Sequence, residues 1–255
     1  MKVAIIGAGN MGGAIARGLL SQTNHKLTVS ISNPSLPKLE SIKSEYPSVN
    51  CSQSNQKSVD NADIVILAVK PWLIESVLRG ITLDPKSIVV SIAAGVDFNQ
   101  LASWTSDSTS LYRLIPNTAI AIKQSMTIIS SYQKIAEEDQ LIISLFNELG
   151  DTILLTEDKM AVATSIASCG IAFLFKYIQA SMQAGVELGL TPQEGVKLAA
   201  QAAIGAGALL KEQKSHPSLE IDKVTTPGGK TIKGINSLEQ QGFVNAIIEA
   251  IKASL

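Results

Sequence analysis

A short apolar run at residues 3–6 ends on Gly7-Ala8-Gly9-Asn10-Met11-Gly12, and the motif opens a helix whose apolar face includes Ile15 and Leu19. In a strand–turn–helix unit each glycine has a mechanical reason. The first makes the tight turn, the second lets the backbone approach a pyrophosphate, and the third lets helix pack closely on strand. The helix N-terminus then offers its amides to the phosphates. A glycine-rich turn of this kind can be purely structural, but its place at residue 7, directly after the first strand, favours a dinucleotide.

The rest of the first half continues the pattern. Runs rich in β-branched residues at 3–6, 27–31, 64–69, 88–92, 110–114, 126–130 and 152–155 alternate with helical stretches. Such alternation predicts a doubly wound parallel sheet covered by helices on both faces, here a Rossmann-type domain over residues 1–156. From Lys159 the strand signal disappears, and residues 157–255 read as an all-helical domain. Between Met160 and Leu210 the charges are Lys176, Glu187, Glu194 and Lys197. Thr191 can cap a helix that starts at Pro192, with Glu194 completing a capping box. The body of that helix is apolar on every side. A unit of about 100 residues cannot hide so much apolar surface alone, so a second subunit is expected to cover it, with burial against the first domain as the alternative.

In an open parallel sheet, ligands bind beyond the carboxyl ends of the strands. Gly7, Gly9, Asn10, Met11 and Gly12 are therefore expected at the cofactor, together with Asn55, the strand end Ala68-Val69-Lys70-Pro71, and Ala93, Ala94 and Gly95, whose small size leaves room for a flat ring. At the end of the second strand an acid would favour NAD by holding its ribose diol. This chain has Ser32-Asn33-Pro34-Ser35 there, with Lys38 one helical turn on. Ser32, Asn33 and Ser35 can accept a 2′-phosphate, so NADP(H) is favoured and NAD(H) remains possible. An Asn-Pro turn opening the next helix is compatible with both.

The chain carries 21 basic and 22 acidic residues, a net charge of −1. That offers no field for nucleic acid or an anionic membrane and points to a small-molecule partner. Cys51 and Cys169 cannot build a disulfide framework, no Cys/His cluster has zinc-ligand spacing, and a reducing cytoplasm fits best. The N-terminus does not read as a signal peptide. The 16 uncharged residues between Lys159 and Lys176 include Thr164, Ser165, Ser168 and Gly170, whereas a span needs about 20 apolar residues, so no membrane segment is expected.

At this point the chain resembles the pyrroline-5-carboxylate reductase family over nearly all its length. The resemblance rests on the glycine motif, Ala68-Val69-Lys70-Pro71, Ser91-Ile92-Ala93-Ala94-Gly95-Val96 and Arg113-Leu114-Ile115-Pro116-Asn117-Thr118. Its most specific part is Val224-Thr225-Thr226-Pro227-Gly228-Gly229-Lys230-Thr231-Ile232. It implies an NAD(P)H-dependent reductase making L-proline from a cyclic imino acid, and a homodimer through intertwined helical domains that can assemble further. It also implies that the substrate sits at Val224, Thr226, Gly228, Gly229 and Thr231. A Pro-Gly-Gly-x-Thr turn opening a helix presents unpaired amides to an anion. In the family it receives the substrate carboxylate, and the Thr231 hydroxyl bonds the imine nitrogen as the catalytic contact. Taken alone, the turn could equally be structural, with Thr231 as a helix cap.

The chain departs from the family where a Ser-Gly-Ser-Gly-Pro-Ala-Tyr-like stretch is common. It has Ala167-Ser168-Cys169-Gly170-Ile171-Ala172-Phe173. Pro34 replaces a basic residue usual after Asn33, and Ala119 stands where proline is frequent. These changes keep two alternatives in view: a reductase of another cyclic imino acid, and a dinucleotide-binding regulatory paralogue without turnover. Cys169 reads as a packing residue, His25 and His216 as loop residues, and Arg113 as an ion pair bracing the sheet or an anion contact. Residues 137–139 read as the solvated first turn of a helix.

Overall fold

The computed structural model describes residues 1–21 and 27–255; His25 lies outside them. Its strands are β1 (Lys2–Ile6), β2 (Thr28–Ser32), β3 (Asn50–Ser52), β4 (Ile64–Leu67), β5 (Ile88–Ser91), β6 (Ser110–Ile115), β7 (Ser125–Ser131) and β8 (Gly150–Leu154). The helices among and just after them are α1 (Asn10–Leu20), α2 (Leu36–Glu45), α3 (Asn55–Val59), α4 (Ile74–Arg79), α5 (Phe98–Ser103), α6 (Ala136–Asn147) and α7 (Met160–Thr164). Five more follow: α8 (Gly170–Glu187), α9 (Pro192–Gln213), α10 (Pro217–Val224), α11 (Lys230–Gln240) and α12 (Phe243–Lys252).

The strands form one sheet in the order β3-β2-β1-β4-β5-β6-β7-β8. Alternate residues of β1 face opposite cores, as a pleated strand requires. Val3 and Ile5 join a cluster with Ile15 and Leu19 of α1, Ile42 of α2 and Phe146 of α6. Ala4 and Ile6 join another with Val59 of α3, Ile74 of α4 and Leu101 of α5. Burial on both faces is why these strands read as unbroken apolar runs, and each fully buried Ile or Leu contributes roughly 1.5–3 kcal/mol.

The sheet is not parallel throughout. β6 and β7 pair antiparallel, Tyr112 opposite Ser131 and Ile115 opposite Ile128. The connection between them, residues 116–124, is too short for the crossover that a parallel pair needs. It turns instead through a 3₁₀ segment, Thr118–Ile122, and a left-handed Lys123 (φ 59°). The edge strand β3 was not legible as a run, because its three residues, Asn-Cys-Ser, carry no apolar alternation.

The chain divides into two compact units, Met1–Ser168 and Cys169–Leu255. α7 belongs with the first because buried Met160 packs on Ile115 and Ile128. In the second unit α9 begins as its sequence predicts. The Glu194 N–H donates to Thr191 Oγ1 (3.3 Å) and the Thr191 N–H to Glu194 Oε2 (2.8 Å). The Thr191 N–H, and then its hydroxyl (2.8 Å), donate to the Glu194 carboxylate and hold it below its ordinary pKa. α8 and α9 pack closely at Gly195, where a Cβ would stand 3.0 Å from Met182 Cα.

Gly195 is the one buried residue among those of the second unit. Leu188 is 86% exposed, Ile204 64% and Phe175 59%. The stretch Glu157–Glu187 is helical over 31 residues, and by length and composition alone it would suffice to cross a membrane. Only 6% of its most apolar window is buried. The uncharged run is thus part of a longer helix than its own 16 residues suggest.

Candidate active site

The turn after β1 is shaped by steric necessity. Gly7 has φ +108°, and a Cβ there would lie 2.5 Å from the Ala68 carbonyl oxygen. The Gly7 N–H donates to Ser32 O (2.8 Å), and the Ala68 N–H donates to Ile6 O (2.8 Å). At Gly12 a Cβ would be 2.0 Å from Gly7 O, so only glycine lets α1 sit this close to β1. Gly9 differs: nothing lies within 4 Å of a Cβ built on it. It is the N-cap of α1, with no side chain capping the first turn, so α1 starts beside open space.

That space is a crevice of about 570 Å³, ample for part of a dinucleotide. It lies beside β1, where the strand order reverses from β2 on one side to β4 on the other. Gly7, Gly9, Asn10, Met11, Asn33, Ala68, Val69 and Lys70 all line it. Pro34, Lys38, Leu73 and Ile92 line it too. Leu73 carries no sequence signal; it arrives there through the 3₁₀ turn Pro71–Leu73 that follows β4.

Ser32, Ser35, Asn55, Pro71, Ala93, Ala94 and Gly95 stand behind or beside the crevice, while Asn33, on its wall, is tied to the glycine turn. Ser32 is wholly buried, and its hydroxyl donates to Asn55 Oδ1 (2.8 Å), joining the end of β2 to the start of α3. Asn33 is 9% exposed, and its Oδ1 accepts from the Ala8 N–H (3.1 Å), so it holds the glycine turn in place. Ser35 is the N-cap of α2 without a side-chain cap bond, and the first turn of α2 holds no acid. Pro71 opens the turn that carries Leu73. Beyond β5, Ala93 is buried, its N–H donating to Ser91 Oγ (3.4 Å), while Ala94 and Gly95 (φ +81°) are exposed.

In the second unit, residues 225–229 form the turn between α10, which ends at Val224, and α11, whose second residue is Thr231. Gly228 has φ +71°, and the Gly229 N–H donates to Thr226 O (2.9 Å). A Cβ on Gly229 would meet Thr226 Oγ1 at 2.7 Å. Gly229 is the N-cap of α11, again with no side-chain cap. Thr231 lies exposed in the first turn, and Val224, Thr226 and Gly228 are exposed on the approach.

Residues read as structural have partners that explain them. Arg113 pairs with Glu157, whose Oε1 also accepts from the Phe98 N–H (2.9 Å), and the guanidinium lies 5.9 Å above the Phe98 ring. His216 caps α10, its Nδ1 accepting from the Ser218 N–H (3.3 Å). Within the acidic turn of α6, Asp139 does more than face water: it accepts from the hydroxyl of buried Tyr112 (2.7 Å). Burial, and then that carboxylate, push the tyrosine well above its ordinary pKa. Cys51 is half-buried with its thiol on Leu39 O (3.6 Å), and burial raises its pKa. Among the described residues no cluster of His, Cys, Asp or Glu could hold a metal ion.

Comparison with known proteins agrees with this geometry. Residues 2–95 match the family model described as NADP oxidoreductase coenzyme F420-dependent, and residues 157–255 match that described as pyrroline-5-carboxylate reductase dimerisation. A solved pyrroline-5-carboxylate reductase from Coxiella burnetii superposes with a TM-score of 0.90 at 28% identity, covering 99% of this chain and 95% of its own. The Plasmodium falciparum pyrroline carboxylate reductase, solved with NADP bound, gives 0.85 at 25% identity, with 100% and 95% covered.

Fold and crevice, together with the reductases the chain aligns with, mark an NAD(P)H-dependent oxidoreductase of the Rossmann type. Pyrroline-5-carboxylate reductase 1 of Dictyostelium discoideum is 36% identical over 99% of this chain, which spans 48% of that relative's length. The Escherichia coli pyrroline-5-carboxylate reductase is 33% identical, with 98% of this chain and 94% of the relative aligned. The chain belongs to the pyrroline-5-carboxylate reductase family.

Proposed function

We propose that the protein reduces 1-pyrroline-5-carboxylate to L-proline with NAD(P)H. The observation that carries this reading is an uncapped helix start at Gly229, followed by Thr231, in a chain aligned end to end with such reductases. The bound dinucleotide supplies a hydride, which a protonated imine accepts with little help from acid–base groups. The protein's contribution is orientation. The open amides after Gly9 receive the pyrophosphate, and the absence of any atom near a Cβ at that position fits the group. Asn33 keeps the glycine turn in shape, Ser32 and Asn55 brace the strand end behind it, and Ala93, Ala94 and Gly95 leave room for the nicotinamide.

Substrate recognition falls to the second turn. Its free amides hold the carboxylate, Val224 and Thr226 flank it, and the Thr231 hydroxyl bonds the ring nitrogen. A second reading, another cyclic imino acid as substrate, is favoured by the altered stretch 167–173. The ratio of kcat/KM on five- and six-membered cyclic imino acids separates them; a preference for the six-membered ring would establish the second.

NADPH is the preferred cofactor in this reading. The N-terminus of α2 is uncapped at Ser35, has no acid in its first turn, and carries exposed Lys38 on the crevice wall. Lys38→Glu is expected to raise the KM for NADPH by about tenfold, in keeping with one lost charge-assisted contact, and to leave the KM for NADH nearly unchanged. Equal effects on both would remove Lys38 from phosphate recognition.

The exposed apolar helices bury themselves in a homodimer through residues 157–255, in keeping with the dimerisation family they match. This occupant, rather than a lipid bilayer, covers Glu157–Glu187. Light scattering at micromolar concentration is expected to give a dimer or larger; a monomer would contradict it. The two unpaired cysteines suit the cytoplasm.

A further inference from the structure

The cofactor crevice opens into a second cavity. A groove of about 530 Å³ runs between α1 and α2, and Gly9, Asn10 and Lys38 stand on its wall as well as on that of the crevice. Both helices begin without a side-chain cap, so the partial positive ends of two helix dipoles flank the entrance. Farther along the helices, Arg17 and Ser41 line the groove.

The guanidinium of Arg17 is held by α2. Its Nε and Nη2 donate to the two carboxylate oxygens of Glu45 (2.8 and 2.7 Å), and Nη2 also donates to Ser41 Oγ (3.1 Å). Such a bidentate pair fixes the planar fork in one orientation. It leaves Nη1 with two hydrogens that no group among the described residues accepts. Gly13 accounts for the place of that nitrogen. A Cβ on Gly13 would stand 3.1 Å from Arg17 Nη1, while Ile42 Cδ1 and Ala8 O lie at 3.9 and 4.0 Å. The side chain thus folds back over the preceding turn, toward the N-terminus of α1, as helical side chains lean. Glycine inside a helix costs about 1 kcal/mol relative to alanine, and what its missing methyl leaves room for here is the guanidinium.

We propose that Arg17 is a specificity-determining residue for the cofactor, its Nη1 donating to the 2′-phosphate of NADPH beside Lys38. The inference deepens the NADPH preference above and rests on it. Because Glu45 balances the charge of Arg17, Lys38 supplies the net attraction and Arg17 supplies direction: a guanidinium donates at fixed angles, whereas an ammonium acts as a point charge. The 2′-hydroxyl of NADH offers no negative charge to collect, so the contact separates the two cofactors.

Calorimetry with 2′,5′-ADP and 5′-AMP, which differ only in that phosphate, tests this without turnover. Arg17→Met is expected to weaken 2′,5′-ADP by about tenfold, in keeping with one lost charge-assisted bond, and 5′-AMP by less than about twofold. Gly13→Ala should show the same selective loss, because its methyl displaces Nη1, with a melting temperature that stays level or rises. Equal weakening of both ligands by Arg17→Met would make the residue a clamp between α1 and α2 only, and unaltered binding of 2′,5′-ADP would place the phosphate elsewhere. Either result overturns the proposal while the wild-type preference stands. A wild-type protein that binds the two ligands equally would contradict the NADPH preference itself, and the proposal with it.

Discussion

Thr231→Ala is expected to lower kcat on 1-pyrroline-5-carboxylate by about 10²-fold, the lower end of what one positioned proton-bearing group contributes, without loss of stability. Thr231 is the second residue of α11 and exposed. Alanine is the better helix former there by up to about 0.7 kcal/mol, so the melting temperature should stay level or rise. The backbone amides that hold the carboxylate are untouched, which predicts a KM for the imine that moves far less than kcat. Thr231→Ser keeps the hydroxyl and should recover most of the rate. Full activity in the alanine variant would take Thr231 out of the mechanism. It would leave the turn as a carboxylate site only.

The glycine turn permits a sharper separation of binding from folding. Gly9→Ala adds a methyl group where nothing lies within 4 Å, on an extended backbone (φ −74°, ψ −170°) that alanine adopts without strain. Its stability should change by no more than about 0.5 kcal/mol. Yet the methyl occupies the space through which a pyrophosphate approaches the backbone, so the KM for NADPH should rise by about tenfold or more. Gly12→Ala reverses the balance, since its Cβ would stand 2.0 Å from Gly7 O and 2.8 Å from Ala68 Cβ. Relieving that overlap forces α1 away from β1 and costs about 3 kcal/mol or more, a large share of the 5–15 kcal/mol that roughly holds a domain together. Thermal melts and cofactor titrations of both variants check the pair. Equal loss of stability in the two would contradict the assignment of Gly9 to the ligand and Gly12 to packing.

The parts of the fold legible in the sequence are those where one physical demand dominates. β1, β4 and β5 are buried on both faces, so β-branched runs mark them directly. The start of α9 is readable because Thr191, Pro192 and Glu194 meet three separate requirements of a helix N-terminus. β3 escaped because three polar residues at a sheet edge carry no periodicity. The reversal at β7 escaped because it depends on the length of a connection, not on the strand itself.

Within the site, position along the sheet was readable and direction was not. Ser32, Asn33 and Ser35 are neighbours at one strand end. Nevertheless Ser32 turns inward to Asn55, Asn33 turns to the glycine loop, and Ser35 caps a helix without using its side chain. Which of them faces the crevice is decided by side-chain hydrogen bonds across 23 and 25 residues of sequence, and no local pattern encodes that. Equally silent is the π turn at Ser165–Cys169, whose Ala167 carbonyl accepts from the side-chain amide of Asn117, 50 positions away.

The most direct measurement is the initial rate of dinucleotide oxidation by the purified full chain, with and without 1-pyrroline-5-carboxylate, using NADPH and NADH in parallel. Oxidation is predicted only when the imine is present, with L-proline formed mole for mole and NADPH giving the higher kcat/KM. A protein that binds NADPH by calorimetry yet oxidises none of it in the presence of the imine would contradict the proposed reductase and leave a dinucleotide-binding protein without turnover in its place.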